Sequence, residues 1–408
     1  MSNFDDLALA VESFGSNNKV IFDDIGMPSI TVGVPKMKYS DLIAGGTQET
    51  LPFWIVDGVE KDAIWVSKFQ NVVLHDRAYS LPLRDPRASI TFDQALAACR
   101  KKGAGWHLNQ SGVFTALGLR CKKSGKIPHG NNNYGQDVSC PWEKGIQAAV
   151  DGSTGKTTRT LTGSGPVTWY DDFTTGGIAD LNGNVWEWCS GLRLNAGEIQ
   201  IIPYGNAMKA DCDMSKTSRE WKAIKPDGSL VEPGTAGTLK FNGSAAGNAN
   251  ETAASIGNPI LDTKRDKPSY TGGETDAYYA YLYQPLESVA AASGVTVPQL
   301  VKALGLFPTD SNLNGDGLWV RNYGERLPIL GGSYGNDVRA GVFAMDLDSP
   351  PFQFRYSHRF PFRFCKSVIW NVCSAFAAIA AIFPWSALRA RVASIFRFCT
   401  VPERKNVV

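Results

Sequence analysis

The sequence predicts an α+β fold built from two helices, short strands and much irregular loop, with a surface insertion. Three observations carry this. With 41 glycines and 22 prolines in 408 residues, regular structure is interrupted often. Runs of β-favouring residues, Phe53-Trp54-Ile55-Val56 and Ala63-Ile64-Trp65-Val66, are separated by the turn pair Asp57-Gly58. Two later segments switch to a helical period.

In chain order, residues 1–50 read as an N-terminal segment with a short helix near Asp5–Ser13 and an apolar alternation around Ile30–Val34. The main domain is expected over 51–365. Its first helix lies between Thr91 and Lys102, where Phe92, Ala95, Leu96 and Cys99 share a face. A second runs from Ser111 to Lys123 on Val113, Phe114, Leu117 and Cys121. Residues 124–180 are mostly turns. Residues 195–325 are the least regular and read as an insertion on the domain surface, with a helix pair near Pro285–Ser293 and Pro298–Leu304. Residues 366–408 form a hydrophobic and basic tail. Its apolar run 368–388 is long enough for membrane contact, against the alternative of a buried or oligomer-forming helix interrupted by Pro384.

A hydrophobic fraction of 43% and a charged fraction of 20% describe an ordinary globular chain. The net charge of +2, without a basic face or run, gives no reason to expect a nucleic-acid partner. His75, His107, His129 and His358 are far apart, and the eight cysteines contain no CxxC pair. The start, Met1-Ser2-Asn3-Phe4-Asp5-Asp6, lacks a secretory signal pattern, so synthesis in cytoplasm with mainly reduced thiols is expected.

Several motifs offer chemistry. Asp151–Thr157 ends like a phosphate loop, but Val150 stands where its first glycine is required, which leaves a turn. Asp310–Asp316 begins like a calcium loop, but Arg321 stands at the closing carboxylate position, which again favours a polar turn. In Asp180–Trp188, Trp186 and Trp188 share one strand face and Glu187 takes the other. Glu187 beside the Asn-Gly-Asn oxygens could take calcium, although accepting hydrogen bonds that pin the turn is the commoner role. No other cofactor is expected. From Phe352 to Phe364, aromatic residues alternate with polar and cationic ones, and Pro350-Pro351 and Pro361 interrupt a strand ladder.

These residues resemble a known family. Asp180–Trp188 is similar to the asparagine-glycine-asparagine-valine-tryptophan-glutamate-tryptophan signature of C-type-lectin folds of the formylglycine-generating-enzyme (sulfatase-modifying-factor) type. Leu330–Tyr334 resembles its glycine-glycine-serine-aromatic motif, and Pro361–Cys365 its closing motif, with Pro361 in place of glycine. Val66–Asn71, Gly105–Leu108 and Ile127–Asn131 follow the family's order, so the resemblance covers residues 50–195 and 326–365. The oxidase branch carries a copper-binding cysteine pair where Asn336 and Gly341 stand, and no cysteine lies between Ser333 and Phe364. The resemblance therefore disfavours an enzyme.

The other branch is the variable proteins of diversity-generating retroelements, of the phage major-tropism-determinant type, which Gly341–Ser349 resembles just before the closing motif. Adenine-directed mutation of asparagine codons cannot yield Lys, Glu or Trp, and residues 331–365 contain none of the three. The resemblance implies a receptor-binding protein with a hypervariable patch over 331–365. Its solvent-facing contact positions would be Tyr334, Asn336, Asp337, Val338, Arg339, Asp346, Asp348, Ser349, Phe352, Phe354, Tyr356, His358 and Phe360. The implied partner is a protein or glycan receptor on a target cell. The implied setting is a phage tail fibre in the virion, where analogy points to a homotrimer. The alternative is a host-encoded cell-surface protein held by the apolar tail.

Overall fold

The protein's structure, a computed structural model, describes residues 3–15, 17–244, 257–266, 281–351, 363–365 and 367–370. It is a mixed α+β fold, mostly sheet, with few helices and long irregular loops. Helix α1 (Asn3–Glu12) precedes the hairpin of β1 (Asn18–Phe22) and β2 (Pro28–Pro35). The Asp57-Gly58 turn closes a smaller hairpin than expected, Ile55–Val56 against Val59–Glu60. Both turn residues take positive φ, 55° and 73°, the twist that a two-residue hairpin needs. Strand β3 (Ala63–Ser67) pairs instead with β2.

Helix α2 (Phe92–Arg100) starts on a capping box. Gln94 donates its backbone N–H to Thr91 Oγ1, and Gln94 Oε1 accepts from the Thr91 N–H. Phe92, Ala95, Leu96 and Cys99 are buried, as their spacing predicts. Strand β4 (Trp106–Leu108) leads to helix α3 (Ser111–Ser124), which is buried over most of its surface. Lys122 and Lys123 lie in its last turn, where cations oppose the helix dipole. Strands β5 (Trp186–Trp188), β6 (Gly317–Arg321), β7 (Ile329–Gly331), β8 (Gly341–Leu347), β9 (Arg363–Cys365) and β10 (Ser367–Trp370) complete the frame.

One five-stranded sheet runs β1-β2-β3-β10-β4. The boundaries expected at 50/51 and 365/366 both fall inside it, because β2 and β10 flank β3 on opposite edges. A six-stranded sheet runs from Tyr281–Pro285 through β6, β8, β7 and β5 to β9. Phe92 and Trp188 meet edge-on at 5.8 Å, and Trp186 and Trp319 at 5.5 Å, so the two β5 tryptophans anchor one core cluster.

The stretch 195–325 departs from expectation. It is not a structureless surface insertion, since it supplies most of an eight-stranded sheet as well as β6. Ile199, Phe241, Leu261 and Leu306 join the same core cluster as Phe114 and Leu330. Its strands are two to five residues long and carry buried polar groups, which hides the alternation. Glu325 is one such group, bonded at 2.7 Å to Arg193 just before the stretch, and that guanidinium stacks over Trp221 at 4.4 Å. The first member of the expected helix pair is a single 3-10 turn, Leu286–Ser288, followed by a two-residue strand. The second is helix α4 (Gln299–Ala303).

Cys99 is disulfide-bonded, whereas Cys121, Cys140, Cys189 and Cys212 are free thiols, so the expectation of mainly reduced thiols does not extend to Cys99. No helix among the described residues is long and apolar enough to cross a membrane. Residues 368–370 of the apolar run lie in β10, and the rest of the tail lies outside the described residues.

Candidate functional site

The site is built from a buried amide hub outward. Asn184 Oδ1 accepts from Asn131 Nδ2 at 3.1 Å and from the Thr160 N–H at 2.9 Å. Asn184 Nδ2 donates to Gln70 Oε1 at 3.0 Å and to the Thr160 carbonyl at 3.2 Å. Gln70 Nε2 in turn donates to the carbonyls of Asp180 and Val185 and to Glu187 Oε1. A primary amide offers two donors and one acceptor with two lone pairs, so Asn184 is fully used here. Glu187 thus accepts from the Gln70 side-chain amide at 3.1 Å.

Backbone contact is equally close. A Cβ on Gly130 would sit 1.8 Å from the Asn182 carbonyl, and one on Gly183 would sit 2.2 Å from that of Asn131. Any side chain at either position would force the two loops apart. The same hub holds the turn after β7. Gly183 donates to the Gly331 carbonyl at 2.8 Å and Tyr334 to that of Asn184 at 3.2 Å. Tyr134 donates to the Tyr334 carbonyl at 2.8 Å and Asp337 to that of Asn132 at 3.0 Å. Segments 66–71, 127–131, 180–188 and 330–334, distant in sequence, therefore meet at one place.

On this base the two loops present a surface cluster. The Tyr134 and Tyr334 rings stand 5.6 Å apart, and Lys156 Nζ lies 4.9 Å from the Tyr134 ring centre. Burial, with Tyr134 beside it, pushes the Tyr334 phenol up to about 12, so it remains a neutral donor at ordinary pH. Val338 is 61% exposed, Arg339 is exposed and Asp337 is half-buried. Asp151 caps its own turn, accepting from Ser153 Oγ and from the N–H groups of Ser153 and Thr154, which hold its carboxyl down to about 2. The phosphate-loop-like segment is thus a turn, and its lysine serves Tyr134. At the calcium-loop-like segment, Asp310 caps the Asn312 N–H and pairs with Lys122. Asp316 is buried and accepts from the Phe343 N–H at 2.8 Å.

The structure divides the expected contact positions. Tyr334, Asp337, Val338 and Arg339 reach the surface. Asn336 does not, because its Oδ1 accepts from the N–H and Oγ of Ser333 at 3.0 and 2.6 Å and pins the turn from inside. Asp346, Asp348 and Ser349 are also buried, contrary to the solvent-facing role expected of them. Asp348 pairs with buried Arg321 at 2.7 Å, Asp346 Oδ1 accepts from the Asp348 N–H, and the Ser349 carbonyl accepts from Leu327. Phe352, Phe354, Tyr356, His358 and Phe360 lie outside the described residues.

No protein-family model matches the chain, and no curated protein does. Sequence reasoning missed Tyr134 and Lys156. Tyr134 did carry a signal. It is an aromatic residue inside Gly130-Asn131-Asn132-Asn133-Tyr134-Gly135, and its φ of 48° marks it as part of a tight turn rather than a strand. A cleft of about 750 Å³ elsewhere is lined by Tyr39, Phe53, Tyr204, Leu230 and Pro298, with Glu49, Glu60 and Asp227 as its carboxylates. Glu60 is engaged by Lys36 at 2.6 Å.

Proposed function

We propose that the protein is a ligand-binding protein that displays replaceable side chains on a fixed backbone. In this reading it is a receptor-binding protein of the retroelement-diversified kind, on a C-type-lectin-like scaffold of the formylglycine-generating-enzyme type. The observation that carries the reading is the seating of Tyr134, Tyr334, Lys156, Val338 and Arg339 on loops locked by the Asn184–Gln70 hub. Tyrosine and arginine give large contact area and hydrogen bonding with little loss of conformational freedom, as binding surfaces require. The turn is fixed by backbone bonds and by the buried Asn336 side chain, so residues 334, 337, 338 and 339 can change without loss of the fold.

The partner class is a protein or glycan receptor on a cell surface, and the setting is a phage tail fibre, with a homotrimer by analogy. Two experiments test the reading. First, Tyr134→Ala and Tyr334→Ala in the purified full chain should lower its adsorption to receptive bacterial cells at least tenfold while the thermal midpoint stays in place. Adsorption that is unchanged by both sinks the proposal. Second, the DNA beside the gene should hold a near-copy of codons 331–365 that differs mainly at adenines, next to a reverse-transcriptase gene. Its absence removes the retroelement part and leaves a binding protein of fixed specificity.

A further inference from the structure

His129, Asp137 and Cys140, in the loop that also carries Tyr134, each offer one ligand atom, and those atoms lie within 4.8 Å of one another. A tetrahedral zinc ion with bonds of about 2.0–2.3 Å sets its ligands roughly 3.3–3.8 Å apart. Closing the set therefore takes about 1 Å of movement, within the reach of one cysteine rotamer change. The imidazole is already oriented. His129 Nδ1 lies 2.9 Å from Glu143 Oε2, and that oxygen also accepts from Thr168 Oγ1 at 2.8 Å and Trp169 Nε1 at 3.1 Å. A carboxylate on Nδ1 keeps the proton there and leaves the Nε2 lone pair for a metal, the usual carboxylate–histidine–metal relay.

The remaining parts are also held in place. Asp137 is buried, and its carboxylate accepts from Gly130, Asn132 Nδ2, Ser139 and Cys140. Asn182 Nδ2 donates to the Pro128 carbonyl at 2.9 Å, next to His129. Cys140 is half-buried, unlike the buried free thiols Cys121, Cys189 and Cys212. Among the described residues, neither Asp137 nor Glu143 is paired with a lysine or arginine. Two carboxylates that meet no lysine or arginine, a thiol and an imidazole oriented by Glu143 form a concentration of negative charge and ligand atoms that a divalent cation would satisfy.

We propose that His129, Cys140 and Asp137 bind one divalent ion of the zinc class, with Glu143 as the positioning residue for His129. Nitrogen, sulfur and oxygen ligands together favour zinc or cobalt over calcium, which takes oxygen alone. Binding forms a metal–sulfur bond at Cys140 and releases its thiol proton to solvent. Asp137 already serves four donors and is the weakest of the three ligands, and water fills the fourth position. The ion staples the loop from 129 to 140 whatever the adjoining surface binds, so the inference stands apart from the function proposed above.

The test is a cobalt(II) titration of the reduced full chain, followed in the near ultraviolet for the thiolate-to-cobalt charge-transfer band. One equivalent should raise the band, and zinc(II) should displace it. Cys140→Ser should abolish the band, and His129→Gln should weaken cobalt binding at least a hundredfold. Glu143→Gln should weaken it by about 10–100-fold while keeping the band. Zinc should raise the thermal midpoint of the wild type and leave that of Cys140→Ser unchanged, a second readout should His129→Gln fold poorly. No band at one equivalent overturns the proposal, as does a band of equal strength in Cys140→Ser.

Discussion

The turn at 334–339 and the strand end at 346–349 resemble each other in sequence and differ in structure. Both set aspartate and other polar residues beside an apolar one, Val338 in the turn and Leu347 in the strand end, and both fall within the segment expected to be variable. In the turn, every side chain except Asn336 reaches at least partly to the surface, and its place is held by backbone hydrogen bonds together with the buried Asn336 amide. In the strand end the side chains themselves are buried, and Asp348 is one half of an ion pair with Arg321. The turn can therefore change its other side chains and keep its shape, whereas the strand end cannot. A polar residue is replaceable only where the backbone beneath it is satisfied without its help.

The sharpest way to break this comparison is Asp348→Ala. Removing one member of a buried ion pair takes a charge partner from Arg321 in the interior, so a loss of about 3 kcal/mol is expected in denaturant unfolding. A loss under 1 kcal/mol would place Asp348 with the replaceable positions. Asp316, which tethers the start of the same buried strand through the Phe343 N–H, gives a pH-dependent version of the test. Burial raises its carboxyl to about 8. Its folded pKa thus lies above its unfolded value, so its contribution is full at pH values below about 4 and is lost as pH rises toward 8. Asp316→Asn should be more stable than the wild type by on the order of 5 kcal/mol at pH 8, with the two curves converging near pH 4. Parallel curves across that window would show that the carboxyl does not titrate there.

Smaller effects concern the support of the turn and then its surface. Asn184→Ala leaves the Thr160 N–H, the Asn131 amide and Gln70 Oε1 without their partner, and should cost about 2 kcal/mol. It should also speed hydrogen exchange at the Tyr334 and Tyr134 amides. Unchanged exchange at both would show that the turn keeps its place without the hub. Val338→Ser and Arg339→Ala should shift stability by less than about 0.5 kcal/mol in either direction. A larger loss would show that this part of the turn packs inward.

Much of the local structure was legible. Apolar residues at helical spacing, Phe92, Ala95, Leu96 and Cys99, marked helix α2, and Val113, Phe114, Leu117 and Cys121 marked α3. The Asp57-Gly58 turn was legible in type but not in extent, because strand length depends on which partner is chosen, here β2 rather than the neighbouring run. Phosphate-loop and calcium-loop resemblances failed on one residue each, Val150 and Arg321, and both segments fold as turns. The stretch 195–325 was the main miss. Short strands with Glu198 and Gln200 buried inside them follow no simple period, since side chains bonded to one another bury polar faces as completely as apolar ones.

At the site the division is similar. The motifs around Asn131, Asn184, Gly331 and Ser333 were readable as scaffold, because adjacent glycines and short amides have few uses other than tight backbone approach. Which of the polar residues after Ser333 face outward was not readable. Asn336 and Val338 sit two positions apart, yet one pins the turn from within and the other is the most exposed of the set, because the chain there is a 3-10 turn and not a strand.

By itself, then, the sequence determined where helices α2 and α3 begin and end, and that much of the chain is turn. These depend on neighbours a few residues apart. The tertiary structure decided that 195–325 belongs to the core, that Tyr134 and Lys156 join Tyr334, and that Asp346 and Asp348 lie inside. The physical reason is that burial and charge pairing are set by partners brought from elsewhere in the chain, as Arg321 is to Asp348 and Lys156 to Tyr134.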